Sequence, residues 1–291
     1  MKKYLYALLI PILISACSTR NNKQTAHLTA ITIHGDTIPQ YTFRYDKAGH
    51  LVELVKHNGA LDTNTTIYTY DSSNRLAGMT TVHRNGCSKQ VLRQAVVKSW
   101  DKDGNISTIA YSGQANEPAH TVSINWERGL PVAMKCSDSS QVSSWSYNKD
   151  GNMDWRNLCA DTVTGTDKDT SIFYRSASYE WEDSLNPLQP IINNLVLGPG
   201  ITPVPAPGPF VSMEYILMHL STHNPFLIKL EEKEKSTCKG YSQEYLRHST
   251  LQFSYAYNSN GYPKETYVHL HTEGWTKLAS DTHVRLDYAY E

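Results

Sequence analysis

The sequence predicts an all-β protein: one large curved antiparallel sheet, a meander of hairpins, half-barrel or barrel-like, with one short buried helix. Three observations predict it. A unit of aromatic, acid or Asn, two polar residues and Gly returns along the chain. Apolar and polar residues alternate on either side of that unit. Seven of the thirteen prolines crowd into a single segment, leaving the repeat-bearing stretches free to form ladders.

The clearest copies place Asp46 and Gly49, Asp101 and Gly104, Asn148 and Gly151, and Asn258 and Gly261 at the first and fourth positions of a turn. A further copy has Asp71 with Asn74 in place of Gly. Asp or Asn at the first position hydrogen-bonds its own backbone two residues on. Gly at the fourth supplies positive φ without steric cost, and Asn is the next most tolerant residue. Degenerate copies centre on Trp126–Pro131 and Trp181–Leu185. The residue before the acid or Asn is Tyr45, Tyr70, Trp100, Trp126, Tyr147, Trp181 or Tyr257, in a chain only 10% aromatic. Alternation puts Tyr41, Phe43 and Tyr45 on one face, and Phe253, Tyr255 and Tyr257 on one face of theirs. Each unit therefore reads as a β-hairpin. Segments 27–35, 225–232 and 284–290 add candidate strands at the edges.

Asn186–Phe210 holds Pro187, Pro190, Pro199, Pro203, Pro205, Pro207 and Pro209. Proline cannot donate to a ladder, so this insertion reads as an extended strap closing the core, or as an apolar lip over a ligand cavity. Val211–Leu220 is the one segment expected to be helical. Its apolar residues point all round, which implies burial.

Chemistry is thinly signalled. His219 and His223 are four apart, but Leu220 stands where a zincin has its Glu. His269 and His271 share one strand face and read as a solvated pair. Glu231–Lys235 reads as a solvated strand end or loop. No nucleophile elbow, phosphate loop or dinucleotide fingerprint occurs, so no catalytic, metal or cofactor residues are nominated and no cofactor is expected. Formal net charge is −1 without a basic stripe, which gives nucleic-acid binding no electrostatic footing. Cys87, Cys136, Cys159 and Cys238 permit two disulfides in any of three pairings, or buried thiols.

The N-terminus carries Lys2 and Lys3, an apolar run from Tyr4 to Ile14, then Ser15-Ala16-Cys17. That is a secretory pattern, and eleven helical residues rise only about 16 Å, too short for a stable span. Ile14–Cys17 resembles the lipobox of bacterial lipoproteins. The resemblance implies a signal peptide over 1–16, lipid on Cys17, and a polar tether over 17–26 ahead of a single β domain at 27–291. More broadly, the repeat resembles the tyrosine–aspartate (YD) repeat group, and the chain is similar to Bacteroidota-type lipoproteins that carry such hairpins. The expected role is a membrane-anchored, non-enzymatic binding or structural module with an apolar ligand or glycan as partner. The alternative is a hydrolase on envelope or dietary polymers. The resemblance implies the outer membrane, and the lack of acidic residues in Ser18–Lys23 favours a periplasm-facing domain.

Overall fold

The computed structural model describes residues 26–112, 119–137, 142–144, 146–164, 170–198, 221–238, 241–274 and 277–291. Ten strands form the first part: β1 (Leu28–Ile33), β2 (Tyr41–Tyr45), β3 (Leu51–His57), β4 (Asp62–Tyr70), β5 (Leu76–Asn85), β6 (Ser88–Trp100), β7 (Ile106–Tyr111), β8 (His120–Glu127), β9 (Leu130–Cys136) and β10 (Val142–Ser144). Six more follow: β11 (Trp155–Thr164), β12 (Thr170–Leu185), β13 (His223–Cys238), β14 (Tyr241–Tyr257), β15 (Pro263–Gly274) and β16 (Lys277–Tyr290). All sixteen belong to one antiparallel sheet, each strand paired with its sequence neighbours, except that β1 pairs with β16 and β10 does not pair with β11.

The first and last strands therefore lie in the middle of the sheet, with Ile31 opposite Tyr288, and not at its edges as the sequence suggested. Pairing the terminal strands removes both of their free edges. The break falls instead between β10 and β11, which meet through the short hairpin bridge of Tyr147 and Met153. The sheet is strongly extended but not closed by a continuous ladder.

Turn chemistry builds one rim. Asp46 Oδ1 accepts from the backbone N–H of Ala48 (2.8 Å) and His50 (2.9 Å), and Gly49 sits at φ +84°. Asp71, Asp101, Asn148 and Asn258 accept the same two bonds in their own turns. Asn74 takes φ +59°, the left-handed region that Asn tolerates. Strands alternate in direction, so all these turns fall on the same rim. His27 and Glu291 join them there, His27 N–H donating to Glu291 O and Glu291 N–H to His27 O. Trp181–Leu185 makes no turn. It lies within β12, because Glu182-Asp183-Ser184-Leu185 offers no residue suited to positive φ, and the chain continues into the insertion before returning as β13.

In four of the repeat units the aromatic fastens its own strand to the hairpin before it. Tyr70 Oη donates to Leu51 O (2.8 Å), Trp126 Nε1 to Ile106 O (2.6 Å), Tyr147 Oη to Pro131 O (3.0 Å) and Trp181 Nε1 to Met153 O (2.7 Å). Each acceptor is two residues past the end of the preceding turn. The contact needs a ring that packs and a tip that donates, which Tyr and Trp have and Phe lacks. Tyr290 repeats it on Pro263 O (2.8 Å).

Period-two alternation then sorts the faces. Leu251 and Phe253 turn inward while Gln252 and Ser254 turn out, and the inward residues of the sheet join in one core with Ile106, Ile109, Leu230 and Leu270. The described part of the insertion, 186–198, packs into this core, where the sequence suggested an extended strap or a lip. Gln189–Ile191 forms a 3₁₀ turn and α1 (Ile192–Leu197) a short helix. Pro190 is compatible with a helix start, and Ile191–Gly198 is free of proline. Leu195 and Leu197 are buried, Tyr68 Oη donates to Asn194 O and Tyr111 Oη to Leu197 O, so strand tyrosines satisfy the last helical carbonyls. The segment expected to be helical, 211–220, lies outside the described residues, as do Cys17 and prolines 199–209.

Candidate functional site

The outer face carries the polar residues that alternation predicts. Arg44 pairs with Glu53 (3.2 Å), Lys233 with Glu244 (2.6 Å) and Arg285 with Glu265 (2.9 Å). A membrane-spanning β-barrel needs a continuous apolar outer band and tolerates polar residues within. The described residues show the reverse, with the apolar face inside. No helix among them is long and apolar enough to cross a membrane.

Sequence-nominated positions are scattered by the fold. Glu231–Lys235 is in the middle of β13, not at a strand end, and Glu232 is buried against the Arg247 guanidinium from β14. His223 opens β13 and contacts Asn152 Oδ1 through its backbone N–H (2.9 Å) and Nδ1 (3.1 Å), so it extends no helical pair with His219, which is outside the described residues. Cys87 is exposed beside the β5–β6 turn and forms no disulfide.

One cleft of about 670 Å³ stands out, and it lies on the outer face across β13–β16. Phe226 and Tyr267, 38% and 49% exposed, supply aromatic surface, and Gln252, Ser254, His269, His283 and Arg285 supply polar groups around them. Arg285 stacks over the Tyr267 ring, with its guanidinium carbon 5.3 Å from the ring centroid. Its position is fixed by Glu265 and by Asp287 at 3.6 Å. The His269 and His283 rings stack at 4.4 Å, nearly parallel. No family model matches the chain, and no curated protein matches it. Among solved structures it is similar to a porin-like protein from Bacteroides uniformis, at 12% identity and a TM-score of 0.38. The match covers 82% of this chain and 94% of that one.

Beside the cleft, Asp281 gathers two imidazoles. Its Oδ1 lies 2.7 Å from His269 Nε2 and 2.9 Å from His271 Nδ1. These bonds, from His271 first and then His269, hold the Asp281 carboxyl below the usual carboxylate range, and the same contact raises the His271 imidazole. The His269/His271 pair was visible in the sequence as two residues on one strand face. Asp281 and His283 were not, because only the β15–β16 register sets them opposite. Phe226, Tyr267 and Arg285 carried no sequence signal beyond lying on strands.

Proposed function

We propose that this chain is a lipid-anchored, non-enzymatic binding module of the cell envelope, and that its ligand is a glycan held in the outer-face cleft. The observation that carries the reading is the pairing of exposed Phe226 and Tyr267 with a surround of hydrogen-bonding side chains in one concavity. Sugar rings present apolar faces and hydroxyl rims, and aromatic rings beside amide, hydroxyl and imidazole groups complement both. The inner face favours packing over binding, since inward side chains and α1 share one core.

Anchoring rests on Cys17 and on where the domain begins. His27 sits on the rim of the repeated turns, so a tether from Cys17 would leave from that rim and reach about 15–18 Å. The opposite rim would then face away from the membrane, with the cleft on the flank between them. The outer membrane, with the domain in the periplasm, remains the location proposed. The cleft lining contains no Asp or Glu, which leaves the hydrolase alternative without a carboxylate pair there.

The test is a glycan array read with the full-length protein in detergent. A hit should weaken at least tenfold in Tyr267→Ala and in Phe226→Ala, and persist in Tyr241→Ala, whose ring is 83% exposed at the far end of β14. Binding that ignores both cleft substitutions would refute the assignment.

A further inference from the structure

Asn or Asp precedes Gly at Asn58-Gly59, Asn85-Gly86, Asp103-Gly104, Asp150-Gly151 and Asn260-Gly261. In such a pair the glycine nitrogen can attack the side-chain carbonyl carbon of the residue before it, since no Cβ on the glycine shields it. The fold withdraws four of these nitrogens from that reaction. Gly86 N–H donates to Leu61 O (3.0 Å), Gly104 N–H to Asp101 O (3.2 Å), Gly151 N–H to Asn148 O (3.2 Å) and Gly261 N–H to Asn258 O (3.0 Å). Each must give up its bond before it can lose the proton or turn toward the side chain. The same four glycines are locked at φ +55°, +85°, +78° and +83°. Gly59 differs on both counts. Its N–H has no hydrogen bond among the described residues, and its φ lies outside the left-handed region. Nothing comes within 4 Å of the place where a Cβ would sit. Asn58 and Gly59 are both exposed, in the loop between β3 and β4.

We propose that Asn58 is a site of spontaneous deamidation, the one Asn-Gly pair that this fold leaves reactive. Gly59 N gives its proton to a solvent base and bonds to Asn58 Cγ. The Cγ–Nδ2 bond breaks, and that nitrogen takes up a proton and leaves as ammonia. Water then opens the five-membered imide at either carbonyl, giving aspartate or isoaspartate, and no oxidant or reductant takes part. Asn58 is held at two points: its backbone N–H donates to Asp62 O (2.9 Å), and its Nδ2 donates to Asp62 Oδ1 (3.1 Å). Neither bond occupies the attacking nitrogen or Cγ, and the second is made by the group that leaves. The product carboxylate meets the Asp62 carboxylate where the amide had donated, and the two like charges repel. Isoaspartate also inserts a methylene into the backbone of a loop whose Leu61 O accepts from Gly86, so the change reaches the β5–β6 turn. The site depends neither on the cleft holding a glycan nor on the anchor.

The experiment incubates full-length protein in detergent at mildly alkaline pH and follows amide-to-acid conversion by peptide mass spectrometry, with fragmentation to place each event. Asn58 should convert at least tenfold faster than Asn85 and Asn260, which share the same following residue and serve as internal standards. In urea-unfolded protein the three rates should draw together, because the difference comes from the fold. Gly59→Ala, for which the structure has open space, should slow conversion at Asn58 tenfold or more without lowering the urea midpoint. Labelling with an isoaspartate-specific methyltransferase should mark the peptide that carries residue 58. Conversion of Asn85 or Asn260 as fast as Asn58 in the folded protein would overturn the proposal. So would a rate gap that persists in urea, or a rate at Asn58 that Gly59→Ala leaves unchanged.

Discussion

Replacing Tyr70 by Phe removes one oxygen and leaves the ring, so it isolates the bond that fastens neighbouring hairpins. Tyr70 Oη donates to Leu51 O at 2.8 Å and accepts from Asn194 Nδ2 at 3.1 Å, joining β3, β4 and α1 at one atom. Leu51 is 1% exposed, so its carbonyl has little access to replacement water. A neutral intramolecular hydrogen bond contributes about 1 kcal/mol net, and a buried partner left without one adds to the loss. The expected cost is about 2 kcal/mol. For a chain of this size that is a fall in Tm of roughly 3–4 °C. Urea unfolding followed by tryptophan fluorescence should show the midpoint shifting with an unchanged slope. Tyr241→Phe serves as the control, because its ring is exposed and it lies at the start of β14. If Tyr70→Phe and Tyr241→Phe unfold within about 0.3 kcal/mol of each other, the aromatic tips do not hold the hairpins together and the account of the repeat fails.

Two further perturbations probe the turns and the ladder. Backbone and side-chain bonds hold the carboxyls of Asp46, Asp71 and Asp101 below their ordinary range, His50, Arg75 and Asn105 providing the largest contributions. A depressed folded-state pKa stabilises above the unfolded value and is lost as pH falls through the folded one. Asp46→Asn, Asp71→Asn and Asp101→Asn together should therefore leave the turns intact at pH 7, as Asn148 and Asn258 do natively, while flattening the loss of stability below about pH 4 in acid titration monitored by circular dichroism. Gly78→Ala would place a Cβ 2.6 Å from Ala95 O on the neighbouring strand. Despite alanine's lower backbone entropy it should destabilise by about 1–3 kcal/mol in urea unfolding, and a neutral result would show that β5 and β6 can part at no cost.

The sequence by itself determined the class of fold, the turns and the faces, because each rests on interactions within about five residues. Asp46 reaches Ala48 and His50, Gly49 turns the chain, and period two sends Phe253 in and Ser254 out. It also marked the aromatic of each repeat unit, without showing why Tyr or Trp stands at positions such as 70 and 181. That reason is a carbonyl one hairpin back, at Leu51 for Tyr70 and at Met153 for Trp181. Only the tertiary structure decided that β1 closes on β16 rather than lying at an edge, that the break falls between β10 and β11, and that Trp181–Leu185 runs straight into an insertion. Proline count suggested an extended strap, yet the apolar run between Pro190 and Pro199 gains more from burial in the concavity than an extended path would supply. The cleft and the His269–Asp281 group were out of reach for the same cause. Their members come from different strands, and local chemistry says which way a side chain points but not which strand will lie beside it.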